Sequence, residues 1–104
     1  MTAVASGRER RMHTHITIAE IDPSSADAFR AEVAAAMTHA ADHGGEVVLD
    51  FADVTFIDST GLTVLIDAHR TLGAEDRTLT IVNVSAHVER VFAVTGLEQF
   101  LPPG

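Results

Sequence analysis

The hydrophobic positions change period several times along the chain, and each change marks an element. Over His13–Ile21, Ile16, Ile18 and Ile21 fall near a period of two, with His15 and Thr17 on the other side. That pattern predicts a half-buried strand. Asp22-Pro23-Ser24-Ser25 stops it and supplies cap residues, with Ser25 the expected N-cap and Asp27 in the positive first turn. From Ala26 the apolar residues Phe29, Val33, Ala36, Met37 and Ala40 form one helical stripe, closed by Gly44-Gly45. Glu46–Phe51 holds the continuous run Val47-Val48-Leu49, the pattern of a strand covered on both faces. Ala52–Ile57 reads as a connection with Val54, Phe56 and Ile57 pointing inward.

A second helix is expected from about Ser59 to Leu72, its apolar side carrying Leu62, Leu65, Ile66, Ala68 and Leu72, with Gly73 ending it. Thr78–Val84 is rich in β-branched residues and reads as a strand. Ser85 is placed to cap a third helix, Ala86–Thr95, with Val88, Val91 and Phe92 inside and Gly96 at the C′ position. Leu97, Phe100 and Leu101 form a last apolar anchor. Strands alternating with helices imply an α/β fold: a mostly parallel central sheet of four to five strands with three or four helices. Residues 1–12 read as an N-terminal arm or edge strand, and 13–104 as a single domain.

Composition narrows the function. The 104 residues carry 15 acidic and 7 basic side chains, a formal charge of −8. Such a surface is repelled by nucleic acid and by anionic membranes, so neither is an expected partner. It suits contact with a basic surface on another protein. There is no Cys, and all basic residues are Arg, so thiolate chemistry, a Walker-type lysine and Schiff-base catalysis are excluded. No run of about 18 apolar residues occurs, and the Arg8–Arg11 cluster is not followed by an apolar signal core. A cytoplasmic location is therefore expected. His13 and His15 stand two apart on a strand, but no third ligand lies at a readable spacing; they read as surface histidines, and no metal or cofactor is expected.

The stretch with the most chemistry is Phe56-Ile57-Asp58-Ser59-Thr60-Gly61-Leu62, a strand followed by small polar residues that open a helix. A helix N-terminus offers unpaired N–H groups and partial positive charge, and Gly61 adds no Cβ to obstruct a close approach. Either Asp58 or Ser59 can be the N-cap. His69 lies about three turns along the helix, too far to activate Ser59, and Gly-x-Ser-x-Gly is absent, so a hydrolase is a poor fit and no catalytic residue is assigned.

The whole run Val47-Val48-Leu49-Asp50-Phe51-Ala52-Asp53-Val54-Thr55-Phe56-Ile57-Asp58-Ser59-Thr60-Gly61-Leu62 resembles the signature of STAS domains, in particular the bacterial anti-sigma factor antagonists. Ala19-Glu20-Ile21-Asp22 is similar to that family's Gly-Glu-Leu-Asp element, with Ala19 in place of the glycine. Leu79–Ser85, followed by Val88, Arg90 and Val91 and by Thr95-Gly96-Leu97, is similar to its closing strand and helix. The likeness covers about residues 13–101. It implies a small STAS-like domain that works by partner switching. The antagonist binds an anti-sigma factor serine kinase and so frees a sigma factor. Phosphorylation at the serine of Asp-Ser-Thr-Gly then releases the antagonist, and a phosphatase resets it. Carried onto this chain, the resemblance makes Ser59 the phosphoacceptor. It places Asp22, Asp58, Ser59, Thr60 and Gly61 on the partner-binding face of a monomer that is not itself an enzyme. The alternative within the same fold is a STAS subunit of a lipid-transporting ABC complex, bound to its ATPase subunit.

Overall fold

The structure is a computed structural model that describes residues 13–42 and 45–101. The expected arm, residues 1–12, lies outside the described residues, as does Gly44. The elements run β1 (His13–His15), β2 (Glu20–Ile21), α1 (Ala26–Ala41), β3 (Val47–Asp50), β4 (Phe56–Ile57), α2 (Ser59–Gly73), β5 (Leu79–Val82), α3 (Ala86–Thr95) and a 3₁₀ turn (Glu98–Phe100). The α/β alternation read from the sequence is present.

All the strand pairings among the described residues are parallel, because helices carry the chain back between strands. The strands form two sheets rather than one. β3 is central, with β1 on one side (Thr14 opposite Leu49) and β5 on the other (Leu49 opposite Ile81). β2 and β4 make a separate pair, Glu20 opposite Phe56 and Ile21 opposite Ile57. The three-plus-two division corrects the expectation of a single strand over 13–21.

A side chain explains the break. The Ile16 N–H still reaches the Asp50 carbonyl at 3.0 Å. At Thr17, however, the N–H donates to Glu32 Oε1 on α1 at 3.0 Å, and the hydroxyl donates to Glu32 Oε2. The backbone thereby leaves the first ladder and joins the second, where the Thr55 N–H meets the Ala19 carbonyl at 2.8 Å.

The helices cover the sheets through the stripes that periodicity marked. On α1, Phe29, Val33, Ala36 and Ala40 are buried and Met37 is half-buried. Phe29 meets Phe51 edge-on, with ring centroids 6.1 Å apart. Val88 and Phe92 of α3 are buried, and Phe92 packs edge-on against Phe100 of the last anchor. Ser85 caps α3 as expected, its hydroxyl accepting from the Val88 N–H at 3.2 Å, and Gly96 takes the left-handed conformation with φ 76°.

Two expectations are corrected. Ser25 stands at the start of α1, but its hydroxyl donates to the Glu20 carbonyl at 2.7 Å and caps no helical N–H. Phe56 points outward, 40% exposed, because in the β4 register its neighbour Ile57 takes the inward face.

Candidate functional site

The register of β2 and β4 builds the site. Ile21 lies opposite Ile57, so the next residues, Asp22 and Asp58, emerge together at the carboxyl edge of that pair. The Asp58 N–H donates to the Ile21 carbonyl at 3.1 Å and holds the two strand ends side by side. Ligand sites of open parallel sheets lie at this edge.

Asp58 settles the choice of cap. Its backbone is extended, and its Oδ1 accepts from the Thr60 N–H at 2.9 Å and the Gly61 N–H at 3.3 Å. The carboxylate therefore satisfies two of the orphan donors at the N-terminus of α2. Ser59 is released from capping and becomes the first helical residue. It is exposed, and its Oγ has no hydrogen-bond partner among the described residues, although its carbonyl accepts from Thr63 Oγ1 at 2.9 Å. Thr60 is half-buried.

Gly61 is buried, and its role differs from the open approach read from the sequence. A Cβ there would stand 2.6 Å from Ile21 Cγ2 and 2.7 Å from Ile57 Cγ1. The missing side chain lets α2 settle on the β2–β4 pair and so fixes where Ser59 projects.

Asp22 is organised by its own turn. Its Oδ1 accepts from the Ser24 hydroxyl at 2.7 Å, the Ser24 N–H at 3.0 Å and the Ser25 N–H at 3.2 Å. The Ser24 hydroxyl, foremost among these donors, holds the carboxyl below the usual aspartate range. Ser59 thus sits at a helix N-terminus with Asp22 and Asp58 on the adjoining strand ends. His69, at the far end of α2, lies edge-on against Phe100 with centroids 5.3 Å apart and plays no part at this edge.

Two features escaped the sequence reading. His15, expected to be a solvated histidine, bonds Asp53 through Nε2 at 2.8 Å and stands 3.8 Å from Asp50 through Nδ1. Asp53 foremost, by hydrogen bond and charge, raises the His15 pKa above its ordinary value. Phe56 stacks on His87, with centroids 5.9 Å apart and planes 14° from parallel. Alternation pointed to His15 facing outward, but nothing in the local pattern announces a partner 38 residues away. Among the described residues, no group of three or more His, Cys, Asp or Glu side chains is arranged to hold a metal ion.

A parallel sheet edge, a carboxylate-capped helix and an exposed serine at its first position make up the candidate site. The family model described as "Mlab, STAS domain" matches residues 7–103, and the chain belongs to that family. Among curated proteins, the anti-sigma-B factor antagonist of Staphylococcus epidermidis is 34% identical over 56 residues, covering 54% of this chain and 52% of the relative. The anti-sigma-B factor antagonist of Staphylococcus aureus strain NCTC 8325 is 30% identical over 56 residues, with the same 54% and 52% coverage. The matched region spans about half the length of these relatives. The Bacillus cell fate determinant SpoIIAA, in its phosphorylated form, superposes with a TM-score of 0.60 at 20% identity, over 90% of this chain and 86% of that one. The anti-sigma factor antagonist SpoIIAA in its unphosphorylated form gives a TM-score of 0.55 at 23% identity, over 82% and 73%. These structural likenesses establish the shared fold.

Proposed function

We propose that this protein is an anti-sigma factor antagonist switched by phosphorylation of Ser59. The observation that carries the reading is the division of labour at the start of α2. Asp58 does the capping, so the Ser59 hydroxyl stands exposed and unpartnered among the described residues. In the unphosphorylated state the face holding Asp22, Asp58, Ser59 and Thr60 docks on an anti-sigma factor serine kinase, and the sigma factor is released. Gly61 contributes by seating the helix. The kinase then transfers the γ-phosphoryl group of ATP: the Ser59 Oγ–P bond forms, the bond to the ADP oxygen breaks, and the hydroxyl proton leaves. A phosphatase later hydrolyses the ester. The chain supplies the acceptor and performs no catalysis, and it acts as a monomer in the cytoplasm.

Electrostatics gives the switch its direction. A phosphate brings about −1.5 to −2 charges at neutral pH. The α2 N-terminus tolerates that charge within the domain, so the fold persists. Across a contact surface the same dianion joins Asp22 and Asp58 on a chain already at −8, and it must be desolvated to bind. A thousandfold loss of affinity requires about 4 kcal/mol, within the range of one uncompensated interfacial charge.

The test pairs binding to an anti-sigma factor serine kinase with labelling by that kinase. Ser59→Ala is expected to bind like wild type and to take up no phosphate, while Ser59→Asp is expected to lose binding. Full labelling of Ser59→Ala would remove Ser59 as the acceptor. The second reading is the STAS subunit of a lipid-transporting ABC complex. It is kept because the family description spanning residues 7–103 does not name an antagonist, whereas the antagonist relatives match over 56 residues. Equal binding of all three forms to an ATPase subunit would favour it.

A further inference from the structure

One face of α3 is left uncovered. Val88 and Phe92 point into the core, while exposed His87, Arg90 and Val94, with Val91 half-buried against the core, follow the i, i+3, i+4, i+7 spacing of a second stripe. Val94 is 80% exposed. With Thr95, these residues line a shallow groove of about 210 Å³. Phe56, stacked on His87, extends the surface to β4. Phe56 and Val94, the large apolar side chains left exposed among the described residues, both lie on this side.

The charge pattern selects an occupant. No carboxylate lines the groove. Arg90 has no ion pair or hydrogen bond among the described residues, in a chain whose formal charge is −8. Thr95 is not a free donor, because its hydroxyl is turned back to the Val91 carbonyl at 2.7 Å. Arg90 is therefore the charged anchor, flanked by apolar groups, and it calls for a carboxylate on an otherwise apolar segment. Phe56 also opens the strand whose end carries Asp58 and Ser59.

We infer that Phe56, His87, Arg90 and Val94 form a second docking surface that seats an amphipathic helical segment of a protein partner. Its apolar side chains cover Phe56 and Val94, and its carboxylate pairs with Arg90. The spacing of the stripe matches the ridge of a facing helix. The segment belongs to the partner that contacts Ser59, so the identity of the partner rests on the antagonist reading. The chemistry of the groove does not.

The test uses the full chain, ¹⁵N-labelled, and three synthetic helical peptides. Each carries Leu at i, i+3, i+4 and i+7, with Glu, Gln or Lys at the flanking positions. The Glu peptide is expected to shift the amides of 87–95 and of Phe56, and to bind at least tenfold more tightly than the Gln peptide. The Lys peptide is expected to leave the amides of 87–95 and of Phe56 in place, any shifts it causes falling on the acidic surface elsewhere. Arg90→Glu should reverse the order of the Glu and Lys peptides. Phe56→Ala should weaken the Glu peptide at least tenfold while the rest of the spectrum stays in place. Equal binding of the three peptides, Glu-peptide shifts confined to other surfaces, or α3 resonances that broaden with protein concentration alone would each overturn the inference, the last by showing a second copy as the occupant. Ser59→Ala should bind the Glu peptide like wild type, so failure of the phosphoacceptor reading appears in the labelling experiment and not here.

Discussion

Gly61 and Gly73 lie on the same helix and answer to different constraints. A methyl group at Gly61 would drive into Ile21 and Ile57, whereas one at Gly73 would meet nothing within 4 Å. Gly61→Ala is expected to destabilise the domain by about 1–3 kcal/mol through overpacking, despite the gain in helix propensity. Gly73→Ala is expected to be stabilising by about 0.4–1 kcal/mol. Urea unfolding of both variants checks the contrast, and a Gly61→Ala domain as stable as wild type would contradict the packing account. Asp58→Ala removes an acceptor of two helical N–H groups and should cost about 1 kcal/mol. Asp58→Asn should keep most of the cap. The sequence left Asp58 and Ser59 as equal candidates because both residue types cap well; only the extended backbone at Asp58 and the aim of its Oδ1 separate them.

Elements whose side chains repeat with a clear period were legible in the sequence. α3 runs over the residues that Ser85, the Val88–Phe92 stripe and Gly96 marked, and β3 occupies the apolar run Val47–Leu49 as the central strand. What local pattern could not show is set by distant side chains. Glu32 pulls Thr17 out of the first ladder, and the outward turn of Phe56 follows from its pairing with Glu20. Arg77 is another such long-range tie. Its guanidinium donates to the Met37 carbonyl at 2.6 Å and the Gly45 carbonyl at 3.1 Å, and also to Glu75 at 2.8 Å. It thereby joins the end of α1, the entry to β3 and the loop before β5. Arg77→Ala is expected to cost about 3 kcal/mol, because two carbonyls lose a charged donor. Arg77→Lys should recover less than half of that, since an ammonium lacks the planar fork that spans both acceptors. Thermal unfolding of the pair tests this. A full rescue by Lys would show that charge alone matters.

At the scale of the molecule, the two sheets meet where the chain crosses between them, and His15 marks that joint. The imidazole at the end of β1 faces Asp50 at the end of β3 and Asp53 in the connection to β4, while the Asn83 side-chain amide donates to Asp50 Oδ1 at 3.1 Å. The His15 pKa is raised in the folded state, chiefly by its hydrogen bond to Asp53. Its contribution to stability is therefore complete below the unfolded histidine value of about 6.5 and is lost as pH rises through the higher folded value. Asp50 has the opposite sense. Partial burial works against its ionisation, but the Ala52 N–H, the Asn83 amide and His15 outweigh that and hold its pKa below the usual range. Its contribution is complete above the unfolded aspartate value of about 3.9 and fades as pH falls through the lower folded value. The joint is thus strongest between about pH 4 and pH 6.5. The melting temperature of wild type relative to His15→Gln should be highest in that window and should converge on the variant at alkaline pH. The His15 ring signals should titrate above the ordinary midpoint, and Asp53→Asn should bring that midpoint down. A difference in melting temperature that stays constant from weakly acidic to alkaline pH, or a His15 midpoint at or below the ordinary value, would show that the joint is held by packing alone.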